Sequence, residues 1–191
     1  MSPIHLSDFV SKTLSYSEHE RRFCLKREEG AHLRAYDIDV NGADRQYFKG
    51  LYAGLQNRRS ADGIYVGSFH ERGKQIQFVI IIELEGQTSF KDSAEQVRQT
   101  MAHFCQHFQD SVLEDDGARH HQQAGLNPRP YIVDAKHVVA GIVIGSTSRE
   151  GVLTKYRQWP IICLNSRQPV QDKTPLALLE EIAAYTGERF W

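Results

Sequence analysis

The run Phe78-Val79-Ile80-Ile81-Ile82, closed by Glu83-Leu84-Glu85, limits this chain more than any other feature. Side chains alternate faces along a strand, so a segment apolar at both parities needs cover on both faces. It therefore reads as a central strand with a layer above and a layer below. Acids at the end of such a strand need an explanation, because an unpaired buried carboxylate is costly. Glu83 and Glu85 are two residues apart and share one face.

The partner strand is legible just upstream. Gly63 to Ser68 and Gln75 to Glu85 are strand-like runs separated by His70-Glu71-Arg72-Gly73-Lys74. Gly73 accepts the positive φ of a tight hairpin, which makes Arg72-Gly73 the turn centre. Pairing Glu71 with Lys74 and stepping outward sets Asp62 opposite Glu83. Their Cβ atoms are then about 5 Å apart on one face. Three carboxylates (Asp62, Glu83 and Glu85) converge at that strand end and repel unless a cation sits among them. Hard oxygen ligands suit Mg²⁺ or Mn²⁺.

Further elements surround this hairpin. Ser7 and Asp8 open a predicted first helix to about Phe23, with Phe9, Val10, Thr13, Leu14 and Tyr16 roughly on one side. His32 to Val40 alternates apolar and polar and ends at Asn41-Gly42. Asp92-Ser93-Ala94-Glu95 reads as a capping box for a helix over Ala94–Phe108, whose apolar residues recur at steps of three and four. Residues 110–130 form a polar excursion. His137 to Gly145 and Trp159 to Asn165 read as buried strands. Thr174-Pro175 caps a last helix with Leu176, Leu179, Ile182 and Ala183 inward. No repeat and no linker divides the chain, so residues 1–191 read as one α/β domain.

Composition narrows the setting. Lys plus Arg number 23 against 24 Asp plus Glu, a net charge of -1, which excludes a uniformly basic coat but not a local basic groove. Cys24, Cys105 and Cys163 are odd in number and far apart, which argues against a disulfide framework and for a reducing compartment. Cys24 and Cys163 read as structural thiols and Cys105 as a helix-face residue. The N-terminal stretch lacks a basic region followed by an apolar one, and no apolar run approaches the ~20 residues of a membrane span. A cytoplasmic protein is the expectation.

The order and spacing of these features resemble the PD-(D/E)XK nuclease superfamily, the restriction-endonuclease-like fold. Its core runs helix, three strands, helix, strand, with an Asp on the second strand and an acidic-x-Lys motif on the third. Ser60-Ala61-Asp62-Gly63-Ile64 stands for the first half-motif and Ile82-Glu83-Leu84-Glu85-Gly86 for the second. The resemblance implies the arrangement helix, three strands, helix, two strands, helix, and a nuclease that hydrolyses phosphodiester bonds. It implies that Asp62 and Glu83 hold the ion and that Gln96, on the helix after the motif, orients a ligand or touches phosphate. Glu18 or Glu20 stands where some relatives carry an extra acid, and a homodimer is the usual assembly.

Two positions depart from the motif. Ala61 replaces a proline without consequence for the chemistry. Glu85 replaces the lysine and cannot stabilise developing negative charge. It can hold a second metal or act as a general base. A lysine reaching in from elsewhere is the other solution, with Lys91 nearest and Lys74 at the opposite end of the hairpin. The rival reading is a catalytically degenerate nuclease-fold protein that binds nucleic acid or serves in an assembly. A small-molecule serine hydrolase would require a nucleophile motif such as G-x-S-x-G, which the chain lacks.

The resemblance implies a nucleic-acid partner, DNA before RNA, and local charge offers it partial support. Arg45, Lys49, Arg58, Arg59, Arg72 and Lys74 outnumber Asp44, Asp62 and Glu71, with Tyr47, Phe48 and Tyr52 interleaved. Lys49, Arg58, Arg59 and Lys74 are the candidate backbone contacts; a solvated loop with anchored aromatics is the alternative. Arg149, Lys155, Arg157 and Arg167 form a second basic run. His103, His107, His120 and His121 could make a transition-metal site, without the acid of an H-E-x-x-H motif.

Overall fold

The computed structural model describes residues 13–18, 21–28, 31–38, 60–84, 90–107, 112–113, 131–132, 137–145, 151–165 and 170–189. Its centre is the predicted hairpin, β4 (Gly63–Glu71) with β5 (Lys74–Leu84). The register pairs Glu71 with Lys74 and Gly63 with Ile82, as the turn requires. Both turn residues are left-handed, Arg72 at φ 51 and Gly73 at φ 78.

This hairpin lies inside a mixed sheet of six strands. The others are β3 (His32–Asp37), β8 (Val138–Gly145), β9 (Gly151–Tyr156) and β10 (Trp159–Asn165). The spatial order is β3-β4-β5-β8-β10-β9. β5, β8 and β10 run parallel, while β3, β4 and β9 join antiparallel. All eight residues of β8 are buried, which explains its apolar run at both parities.

One helix covers each face. α1 (Phe90–His107) packs Val97, Met101 and Phe104 against Ile64, Val66, Val79, Ile81, Val143 and Ile161. α2 (Pro175–Thr186) brings Leu178, Leu179 and Ile182 to the other face, against the even-numbered side chains of β5 and β8. It is capped as predicted: Thr174 Oγ1 accepts from Ala177 N at 3.3 Å. Beside α2 lies a small second sheet of β1 (Ser15–Glu18), β2 (Arg21–Leu25) and β11 (Val170–Lys173), in the order β1-β2-β11. Phe23 and Leu25 point inward from it, each fully buried. β6 (Val112–Leu113), near the start of the predicted excursion, pairs with β7 (Tyr131–Ile132), just past its end.

The α/β class and the mixed sheet are as expected; the helix count is not. Two helices, rather than three, stand among the described residues. Of the predicted first helix, Ser15–Glu18 and Arg21–Leu25 are a β-hairpin, and residues 1–12 lie outside the described set. Tyr16, Phe23 and Leu25 reach the core from strands of four and five residues, too short for their alternation to stand out against a helical period. α1 begins at Phe90, before the predicted capping box, so Asp92 lies within its first turn and is not its cap, and Ser93 is buried inside the helix. No helix among the described residues is long and apolar enough to cross a membrane.

Candidate functional site

Asp62 immediately precedes β4, and Glu83 is the penultimate residue of β5. Continuing the Gly63–Ile82 pairing by one step sets them side by side, as the hairpin arithmetic predicts. Their parity matches Ile64 and Ile81, so both face α1. Glu83 is 6% exposed and Asp62 is half-buried.

Each carboxylate is held by a separate donor. Asp62 Oδ2 accepts from the Leu84 backbone N–H at 2.6 Å. Glu83 Oε1 accepts from Gln96 Nε2 at 2.9 Å. Hydrogen bonds to an ionised acceptor are about twice as strong as neutral ones, which offsets the desolvation of acids this close to a core. The first contact ties Asp62 across the hairpin to β5. The second ties β5 to α1.

The backbone around Asp62 is fixed from three sides. Ala61 N donates to Thr100 Oγ1 at 2.9 Å, and Ile38 N donates to the Asp62 carbonyl at 3.2 Å. Thr100 lies one turn beyond Gln96, so one face of α1 holds both strand ends. On the far side of the sheet, Tyr16 packs on Gly63. A Cβ built there would meet the Tyr16 ring at 2.1 Å, so only glycine admits this approach. Tyr16 Oη accepts from Tyr36 N at 3.0 Å and donates to the Tyr36 carbonyl at 2.8 Å, with the Ile64 carbonyl at 3.2 Å as the alternative acceptor. A phenol thus sits within the β3–β4 ladder, one residue from the candidate acids. Burial first, then Tyr65 and Asp37 nearby, pushes its ionisation well above the ordinary tyrosine range.

The remaining candidates divide plainly. Gln96 is joined to Glu83. Lys91 is exposed in the first turn of α1, about 7.5 Å along the helix axis from Gln96. Lys74 is at the other end of the hairpin, roughly 30 Å from Glu83 along β5. Glu85, Lys49, Arg58, Arg59, Glu20, His120 and His121 lie outside the described residues. Glu18 ends β1, and His103 and His107 lie on α1. Among the described residues, no three His, Cys, Asp or Glu side chains gather as a metal site; Asp62 and Glu83 form a pair. Thr100, Tyr16 and Gly63 were not foreseen. Only Thr100 carried a signal, its i,i+4 spacing from Gln96.

No family model, curated protein or solved structure matches the chain.

Proposed function

We propose that this protein is a metal-dependent, endonuclease-like phosphodiester hydrolase with a restriction-endonuclease-like layout, acting on DNA before RNA. The observation that carries the proposal is the Asp62–Glu83 pair, side by side beneath Gln96 at the end of a buried strand. The donor set fits Mg²⁺ or Mn²⁺: the described pair offers carboxylate oxygens, which suit hard cations. Asp62, Glu83 and Glu85 would hold the ion. When bound, such an ion polarises a phosphoryl oxygen and lowers the pKa of water.

The chain's own residues supply positioning. Leu84 N–H fixes the Asp62 carboxylate and Gln96 fixes that of Glu83. Glu85, in place of a lysine, serves to accept the proton of an attacking water or to hold a second ion. Lys91 is the cation nearest in sequence for the phosphate. A homodimer with one site per strand completes the reading.

One observation favours the second reading, a degenerate nucleic-acid-binding or assembly subunit. Both acids already accept from protein donors, and Glu83 is nearly closed off. Cleavage assays separate the two. Mg²⁺- or Mn²⁺-dependent nicking of DNA that Glu83→Ala abolishes supports the hydrolase. Failure on every nucleic-acid form with either metal supports the degenerate protein, and gain of cleavage in Glu85→Lys then shows an otherwise competent scaffold.

A further inference from the structure

Among the described residues, two that are not glycine hold a left-handed backbone, and both are arginines at hairpin tips: Arg72 (φ 51) and Arg157 (φ 53). Asn, Asp and Gly adopt this backbone at lower cost and dominate tight hairpin turns. An arginine there is a poorer choice for the fold, and at an exposed tip packing does not demand it. Strain kept at such positions points to function.

The sheet topology brings the two tips to one end of the molecule. Arg72 lies in the turn that enters β5, and Arg157 in the turn that enters β10. β5, β8 and β10 are parallel, so both turns lie at the N-terminal ends of these strands, away from Asp62 and Glu83. From the register the tips are roughly 20 Å apart, about six phosphate steps along one DNA strand.

Each arginine has a prepared setting. Arg157 lies over the Tyr156 ring at 5.5 Å, and Tyr156 stacks on buried Trp159 at 6.0 Å. Lys155 is exposed beside it. The Arg72 side chain is 81% exposed and only loosely paired, with Glu71 at 3.5 Å. It lines a cleft of about 340 Å³ between the β4–β5 tip and α2, which Lys74, Arg189, Glu71 and Glu180 also line. Among the described residues at this end, five cations (Arg72, Lys74, Lys155, Arg157, Arg189) stand with three acids (Glu71, Glu180, Glu188), whereas the described acids of the candidate site stand at the other.

We infer that the paired tips form a docking surface for the nucleic-acid backbone, with Arg72 and Arg157 as the contacting residues. The inference rests on the nucleic-acid part of the reading above and not on its chemistry. A duplex lying along the strands covers the roughly 30 Å to Glu83 in about one helical turn.

Asparagine is the decisive substitution, because it removes the charge while suiting the backbone. The probe is a labelled DNA duplex of about two helical turns, titrated by fluorescence anisotropy over a salt series. Arg72→Asn/Arg157→Asn should melt no lower than wild type, bind at least about tenfold more weakly, and lower the slope of log K against log salt by about two. Arg72→Lys/Arg157→Lys, which keeps both charges, should bind close to wild type. Binding by the Asn pair within about twofold of wild type overturns the surface, as does a wild-type protein that binds no duplex at low salt. Wild type that binds through these arginines but does not cleave sinks the hydrolase alone. Cleavage with unchanged binding in the Asn pair sinks the surface alone.

Discussion

Gln96 Nε2 donates to Glu83 Oε1 at 2.9 Å, joining the helix on one face of the sheet to a carboxylate that is 6% exposed. A buried acid that loses its donor retains the full cost of desolvation. Gln96→Ala should therefore destabilise the protein by about 1.5–3 kcal/mol in urea unfolding at neutral pH. Gln96→Glu keeps the size but sets a second carboxylate against the first, and should cost more at neutral pH than at pH values low enough to protonate one of them. Equal stability of Gln96→Ala and wild type would show that the amide does not hold Glu83 in solution.

The contact between Gly63 and Tyr16 is steric. A methyl group at 63 meets the phenol ring at 2.1 Å, and the ring is pinned by its hydrogen bonds to Tyr36. Gly63→Ala should cost about 3 kcal/mol in equilibrium unfolding, at the upper end for overpacking. Tyr16→Ala removes the obstacle, so the double variant should be markedly less destabilised than the sum of the singles, by about 1 kcal/mol or more. Additive effects would mean that the two residues do not touch.

The same tyrosine predicts a pH dependence. In the unfolded chain its phenol ionises near its ordinary value of 10.0, whereas burial in the folded protein holds that ionisation well above it. Below that pH both states keep the proton and the residue adds no slope. Above it the unfolded state releases a proton that the folded state retains, so stability falls as pH rises. Tyr65, also pushed up by burial, acts in the same direction. Tyr16→Phe should unfold less steeply with pH in the alkaline range, by at most about 1.4 kcal/mol per pH unit, and should match the wild-type slope at neutral pH. An unchanged alkaline slope would exclude Tyr16 as a buried neutral phenol.

What the sequence revealed follows from where its signals are local. The Asp62–Glu83 pairing was legible because one turn, Arg72-Gly73, sets every pair along two strands. β8 and β10 were legible because full burial writes an apolar run at both parities. The small sheet was not. β2 pairs with β11 in parallel, Arg22 with Val170, and nothing near either strand announces a partner so far along the chain. β9 was missed for the opposite reason: as an exposed edge strand, with Val152 42% exposed, it lacks the apolar alternation by which strands are read. At the candidate site the acids themselves were visible. Their supports, Thr100 and Tyr16, act through backbone groups of other elements and leave little trace in sequence.

Thr100 gives the sharpest test of those supports. Its hydroxyl accepts from Ala61 N at 2.9 Å, with Ala61 fully buried and Thr100 8% exposed. Thr100→Val keeps the shape and leaves a buried N–H without that acceptor, at a cost of about 1–3 kcal/mol. Thr100→Ser keeps the hydroxyl and should recover most of the loss. A general loss of stability would raise amide exchange everywhere that depends on global unfolding. The bond from Leu84 N to Asp62 Oδ2 gives a local readout, because Asp62 is the residue next to Ala61. In Thr100→Val the Leu84 amide should exchange faster than the global change explains, and in Thr100→Ser it should return to its wild-type protection. If Leu84 exchange in Thr100→Val follows global stability alone, then Thr100 supports the fold without setting the position of Asp62.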